Sequence, residues 1–161
     1  TLDLESGNIE QKDIWLVPES SLPKDTTFHK NTKDYTIIGL RDPFWRITIL
    51  ARYNNITDTI LSENNADEYE IIDALIEKNK YTAIYRSKQF GMIRMEVMNR
   101  RSGGWQSLYK NTLGIENDTY MFMPENARIL SIDRIEADFG LQGKKICKID
   151  PVKKTAEWEQ E

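Results

Sequence analysis

Apolar and polar residues alternate from Trp45 to Tyr53. Trp45, Ile47, Ile49, Ala51 and Tyr53 fall on one side and Arg46, Thr48, Leu50 and Arg52 on the other, the pattern of a strand with one face in a core. Tyr35 to Gly39 reads as the strand before it, with Asp42-Pro43 as the turn, so the two are expected to pair antiparallel. A shorter strand is expected within 12–17, where Ile14 to Val17 precede Pro18, after a polar and frayed 1–11. Two more strands are expected near 128–135 and 144–149, joined as a hairpin through a turn with Gly140 and Gly143.

In the middle of the chain the spacing turns helical. Over 66–79, Tyr69, Ile72, Leu75 and Ile76 make one stripe, Asn65 can cap it, Glu68 sits three residues on, and Lys78 and Lys80 close it. Met92, Ile93, Met95 and Val97 predict a second helix over 89–100. After Ser102-Gly103-Gly104, the residues Trp105, Leu108, Tyr109 and Leu113 resume helical spacing up to Gly114. This Met and aromatic stripe reads as core packing. Strands first, helices in the middle and strands last predict an α+β fold, a mostly antiparallel sheet with helices packed on one side.

The 161 residues suit one domain spanning 1–161, and 39% hydrophobic with 30% charged residues is a globular composition. The longest apolar runs are about three residues, as in Trp15-Leu16-Val17, far below the ~20 of a membrane helix, so no membrane partner is expected. The opening at Thr1 and the lack of a signal peptide suggest a piece excised from a longer intracellular protein. One cysteine, Cys147, and one histidine, His29, exclude an internal disulfide and the usual zinc sets, and point to a reducing compartment. The sequons at Asn55 and Asn117 read as chance triplets. A net charge of −4 argues against a non-specific grip on polyanions.

No catalytic set stands out. A nucleophile triad would have to use His29, which has no flanking nucleophile signature, and no phosphate loop or Gly-x-Gly-x-x-Gly is present. A metal-dependent nuclease could be built on Asp133, Glu136 and Asp138, or on Glu10 with Lys12, but among 26 acidic residues such groups arise by chance. No metal, no cofactor and no enzymatic activity are therefore expected.

One longer pattern changes the picture. The run Thr27-Phe28-His29-Lys30-Asn31-Thr32-Lys33-Asp34-Tyr35-Thr36-Ile37-Ile38-Gly39 is followed by the alternating strand, by Asp67 to Asn79 with Lys80-Tyr81 beyond, and by Trp105 to Pro124 with Leu113-Gly114-Ile115-Glu116 inside it. In that order these segments resemble the cap-binding domain of the second basic polymerase subunit of orthomyxoviruses, over about residues 30–150 and closer in character to the thogotovirus branch. The resemblance implies a domain that holds the 7-methylguanosine cap of host messenger RNA during cap-snatching transcription, with capped mRNA and other viral polymerase subunits as partners and the host nucleus and virion as its setting.

A methylated guanine is a flat cation, held between two aromatic faces by about 0.5–2 kcal/mol per contact. A carboxylate accepting its N–H groups and a cation on its carbonyl oxygen add about 1.5–3 kcal/mol each. On the resemblance, His29 and Tyr81 are the stacking pair, and the cation position falls at Arg52 or Tyr53, depending on where a small insertion near Arg41 to Arg46 is put, with Arg52 preferred for its charge. The carboxylate position reads Lys33, with Asp34 beside it as the stand-in. Only Thr82 to Lys88 follows Tyr81 where influenza viruses carry a long loop over the cap phosphates. Affinity for free cap is therefore expected to be weak or absent. The alternative is a structural and interaction module with a vestigial pocket.

Overall fold

The computed structural model describes residues 26–32, 35–41, 46–53, 56–64, 69–102, 104–116 and 121–159. The chain divides into two compact units, Thr1–Asn64 and Asn65–Glu161. Among the described residues every regular element is an antiparallel strand, apart from one 3₁₀ turn at Gly140–Gln142. The expected α+β arrangement is thus overturned: no described helix packs on any sheet.

In the first unit β1 (Thr26–Asn31), β2 (Thr36–Arg41), β3 (Arg46–Tyr53) and β4 (Ile56–Asn64) form a meander in that order. The expected β2–β3 pairing is present, with Thr36 opposite Arg52 and Ile38 opposite Leu50. Ile49 and Ala51 are buried while Arg52 is exposed, as the period-two pattern requires.

The second unit has two meanders. One contains β5 (Tyr69–Glu77), β6 (Lys80–Ser87), β7 (Ile93–Arg101) and β8 (Gly104–Thr112). A short ribbon of β9 (Ile115–Glu116) and β10 (Met121–Phe122) leads to the other, β11 (Asn126–Ser131), β12 (Arg134–Asp138), β13 (Lys144–Asp150) and β14 (Thr155–Trp158). Ile84, Ile93, Met95 and Val97 from the first meander share a core with Ala127, Ile135, Phe139, Cys147 and Ile149 from the second. Each large apolar side chain buried there contributes about 1.5–3 kcal/mol. Polar ties join the layers: Thr82 Oγ1 donates to the Ile132 carbonyl at 2.6 Å, the Ile129 N–H to Asp73 at 2.7 Å, and the Trp158 indole N–H to the Gly114 carbonyl at 2.9 Å.

The three expected helices are β5, β7 and β8, and register explains the misreading. Ile71 faces Tyr85 and Asp73 faces Ile84, so Ile72 is an extra, bulged residue. Tyr69 and Ile76 then lie on the face of Tyr81, and Ile72 and Leu75 on the face of Ile84; all four are wholly or partly buried, so residues on opposite faces of one strand imitate the stripe of a helix. Leu108 is likewise extra between Ser107 and Tyr109, which gives Trp105, Leu108 and Tyr109 their helical spacing. Along β7 both faces are covered, and Met95, Glu96, Val97 and Met98 are all buried, so alternation disappears.

The strand expected over 128–135 is broken by a turn at Ile132 and Asp133 into β11 and β12. The hairpin through Gly140 and Gly143 is β12–β13. Their φ angles of 66° and 82° are ones that a side chain disfavours. The strand at 12–17, the frayed 1–11, the Asp42-Pro43 turn and the cap at Asn65 with Glu68 lie outside the described residues.

The bulges follow a rule. Thr27 in β1, Ile60 in β4, Ile72 in β5, Leu108 in β8 and Leu130 in β11 are each an extra residue on the outer strand of a four-stranded meander. Among the described residues the remaining outer strand, β14, is four residues long, and the interior pairs β2–β3, β6–β7 and β12–β13 run in unbroken register. Bulges and shortness both spoil an edge as a template for another strand.

Candidate functional site

The sheet β5–β8 carries a polar aromatic network on the face opposite Ile84. Tyr81 lies across from Ile76 and Met98, Ala83 from Ala74 and Glu96, and Tyr85 from Ile71 and Arg94, which puts these side chains on one face. Along β6 the alternation is Tyr81, Ala83, Tyr85 on this face against Thr82, Ile84, Arg86 on the other. Tyr81 is 0% exposed, and Tyr85 and Glu96 are each 1% exposed.

The phenol oxygens of Tyr81 and Tyr85 are 3.1 Å apart. The Tyr81 ring meets Trp105 edge to face, centroids 6.4 Å apart. The Arg94 guanidinium lies 4.4 Å from the Tyr69 ring centroid and 5.4 Å from that of Tyr85. Glu96 accepts from Ser107 Oγ at 3.0 Å and faces Lys110 Nζ at 3.3 Å, the pairing a buried carboxylate needs. Burial pushes both phenols well above the usual tyrosine range. At Tyr81 the hydrogen bond shared with Tyr85 offsets part of this; at Tyr85 the neighbouring Tyr81 and Glu96 add to it and Arg94 opposes it. Both phenols are therefore neutral at ordinary pH and serve as hydrogen-bonding packing groups.

The residues implied by the resemblance are distributed as follows. His29 on β1 lies across from Ile38, and Ile38 from Leu50; Arg52 on β3 lies across from Thr36, which in turn faces Asn31. His29 and Arg52 thus share one face of the first unit's sheet, two strands apart. Thr36 Oγ1 donates to Asn31 Oδ1 at 2.8 Å, and Arg52 Nε to Thr57 Oγ1 at 3.2 Å. His29 Nε2 is buried without a hydrogen bond among the described residues. Tyr81 belongs to the second unit, and Asp34 and Lys33 lie outside the described residues.

No protein-family model, curated protein or solved structure matches this chain.

The carboxylates weighed for a nuclease are engaged elsewhere. Glu136 Oε1 accepts from Arg128 at 2.9 Å and has Lys144 at 3.9 Å, Asp133 accepts from Ser131, and Asp138 accepts from the Gly140 N–H. Among the described residues no three acidic, histidine or cysteine side chains converge as a metal site, and Glu10 and Lys12 lie outside them. Sequence reasoning missed Tyr85, Arg94 and Glu96. Their signal was the alternation Arg94, Glu96, Met98 against Ile93, Met95, Val97, visible only once 93–101 is read as a strand.

Proposed function

We propose that this chain is a non-catalytic structural and interaction module, with the position implied for one stacking ring of a cap pocket given over to packing. The observation behind this reading is Tyr81. A base stacks on the open face of a ring, and this ring has no exposed surface. Turning it outward would break the Tyr81–Tyr85 bond, leaving a buried hydroxyl unpaired at about 1–3 kcal/mol, and would surrender the Trp105 contact at about 0.5–1.5 kcal/mol. Stacking on a cationic base returns about 0.5–2 kcal/mol, too little to drive the change. The setting in a viral polymerase, with its other subunits as partners, rests on the resemblance alone. That resemblance took Asp67 to Asn79 as a helix, where β5 now runs.

One observation favours the cap-holding alternative: His29 and Arg52 share a face and could supply a stacking ring and a cation. Calorimetry of the full chain with 7-methyl-GTP and GTP separates the readings. No heat at millimolar ligand is expected, together with co-purification with the companion polymerase subunits that persists in His29→Ala. Micromolar, methyl-selective binding abolished by His29→Ala would overturn the interaction-module reading, and Mn²⁺-dependent cleavage of RNA or DNA would overturn its non-catalytic character.

A further inference from the structure

One end of the second unit collects exposed apolar side chains. Phe90, in the β6–β7 turn, is 65% exposed, Leu141, in the β12–β13 turn, is fully exposed, and Met121 on β10 is 42% exposed. They share an end because of how their strands are tied. Arg86, at the close of β6, donates to the Glu125 carbonyl and to Asn126 Oδ1, both at 3.0 Å, and the Glu125 N–H donates to the Asp138 carbonyl at 2.7 Å, beside the Leu141 turn. Met121 lies over Gly114, whose carbonyl holds Trp158, and Trp158 packs on Phe139 at 5.3 Å.

The exposure is built into the turns. Gly91 N–H donates to the Ser87 carbonyl at 2.8 Å and Phe90 N–H to Ser87 Oγ at 3.2 Å, while Phe139 N–H donates to the Gly143 carbonyl at 2.9 Å. Each backbone is fixed with its apolar side chain pointing outward. The two turn segments are also alike in chemistry: Ser87-Lys88-Gln89-Phe90-Gly91 and Gly140-Leu141-Gln142-Gly143-Lys144-Lys145 each combine an apolar tip, a glutamine and lysine, with no acidic residue, in a chain of net charge −4. Lys88 and Lys144 are exposed, although Glu136 lies 3.9 Å from Lys144 and the Glu125 carboxylate borders Gly140.

We propose that this end of the second unit is a peripheral docking surface for an anionic phospholipid bilayer, with Phe90 and Leu141 entering the headgroup boundary and Lys88 and Lys144 facing lipid phosphates. Protruding tips suit a soft interface that closes around each one, whereas a rigid protein partner is matched better by a continuous patch. Basic residues beside the tips add attraction that falls with salt. This surface does not include Tyr81 and does not depend on the interaction-module reading.

The test is co-sedimentation of the full chain with vesicles of phosphatidylcholine alone and of phosphatidylcholine with phosphatidylserine. Salt-sensitive binding to the anionic vesicles is expected, reduced about tenfold or more in the double variant Phe90→Ser, Leu141→Ser and about fivefold per lysine in Lys88→Gln and Lys144→Gln. Both apolar side chains are exposed, so the double variant should keep the wild-type urea midpoint. No binding to anionic vesicles would overturn the proposal, as would binding that the double variant leaves unchanged. Concentration-dependent self-association lost in the double variant, without vesicle binding, would assign the tips to a second copy instead.

Discussion

The hydroxyls of Tyr81 and Tyr85 sit 3.1 Å apart on the same face of β6, on either side of Ala83, and each is the partner that keeps the other's buried oxygen satisfied. Tyr81→Phe should therefore cost about 1–3 kcal/mol, because it strands the Tyr85 hydroxyl. Adding Tyr85→Phe should cost little more, since both polar atoms are then gone. A double-mutant cycle from urea unfolding checks this; strictly additive losses would show that the pair is not coupled.

The same burial gives stability a pH dependence. Both phenols have folded pKa values raised above the unfolded tyrosine value of about 10. Above that value the unfolded chain holds fewer protons than the folded one, so their contribution is complete below pH ~10 and is lost as pH rises further. In a titration followed at 295 nm, two of the seven tyrosines should ionise only as the fold opens. Seven phenols titrating together while circular dichroism stays unchanged would contradict this.

Cys147 is buried between the two meanders, and its thiol is pushed up to about 11 by desolvation. At pH 8 only on the order of one thiol in a thousand is then ionised, and that fraction is shielded. Ellman's reagent should leave the native chain almost unmodified over minutes and react with one thiol per chain in urea. Immediate reaction of the native protein would mean that the core around Ile135 and Ile149 is open.

Removing a bulge should expose an edge. Deletion of Leu108 lets β8 pair with β7 in continuous register and straightens the outer strand, so the variant should self-associate where the parent does not, as read by light scattering against concentration. The deletion of Ile72 in β5 should act in the same direction. A monodisperse variant at the parent's size would show that the bulge has no protective role.

What could be read in the sequence depended on whether a strand showed one wet face and kept its phase. The pairing of β2 with β3 was legible because Ile47, Ile49 and Ala51 fall at every second position, with Arg46, Thr48 and Arg52 on the other side, and the β12–β13 turn because Gly140 and Gly143 take conformations that other residues avoid. β5 and β8 were read as helices because one extra residue shifts the period, and β7 because burial on both faces erases it. The network around Tyr81 was hidden for the same reason. Glu96 between Met95 and Val97 looks like the polar side of a helix until the strand alternation turns it inward beside Ser107 and Lys110.

Strand order carries one more consequence. Among the described residues, each strand of the three four-stranded sheets pairs with the one next to it in sequence, so none of these ladders has to wait for a segment synthesised much later. A hairpin zips as soon as its second arm is available, and the next arm adds to an existing edge at a small loop-closure cost. A chain emerging from a ribosome could therefore complete β5–β8 while the segment from Asn126 onward is still held in the exit tunnel, leaving the joining of preassembled layers through Asp73, Thr82 and Trp158 as the late event.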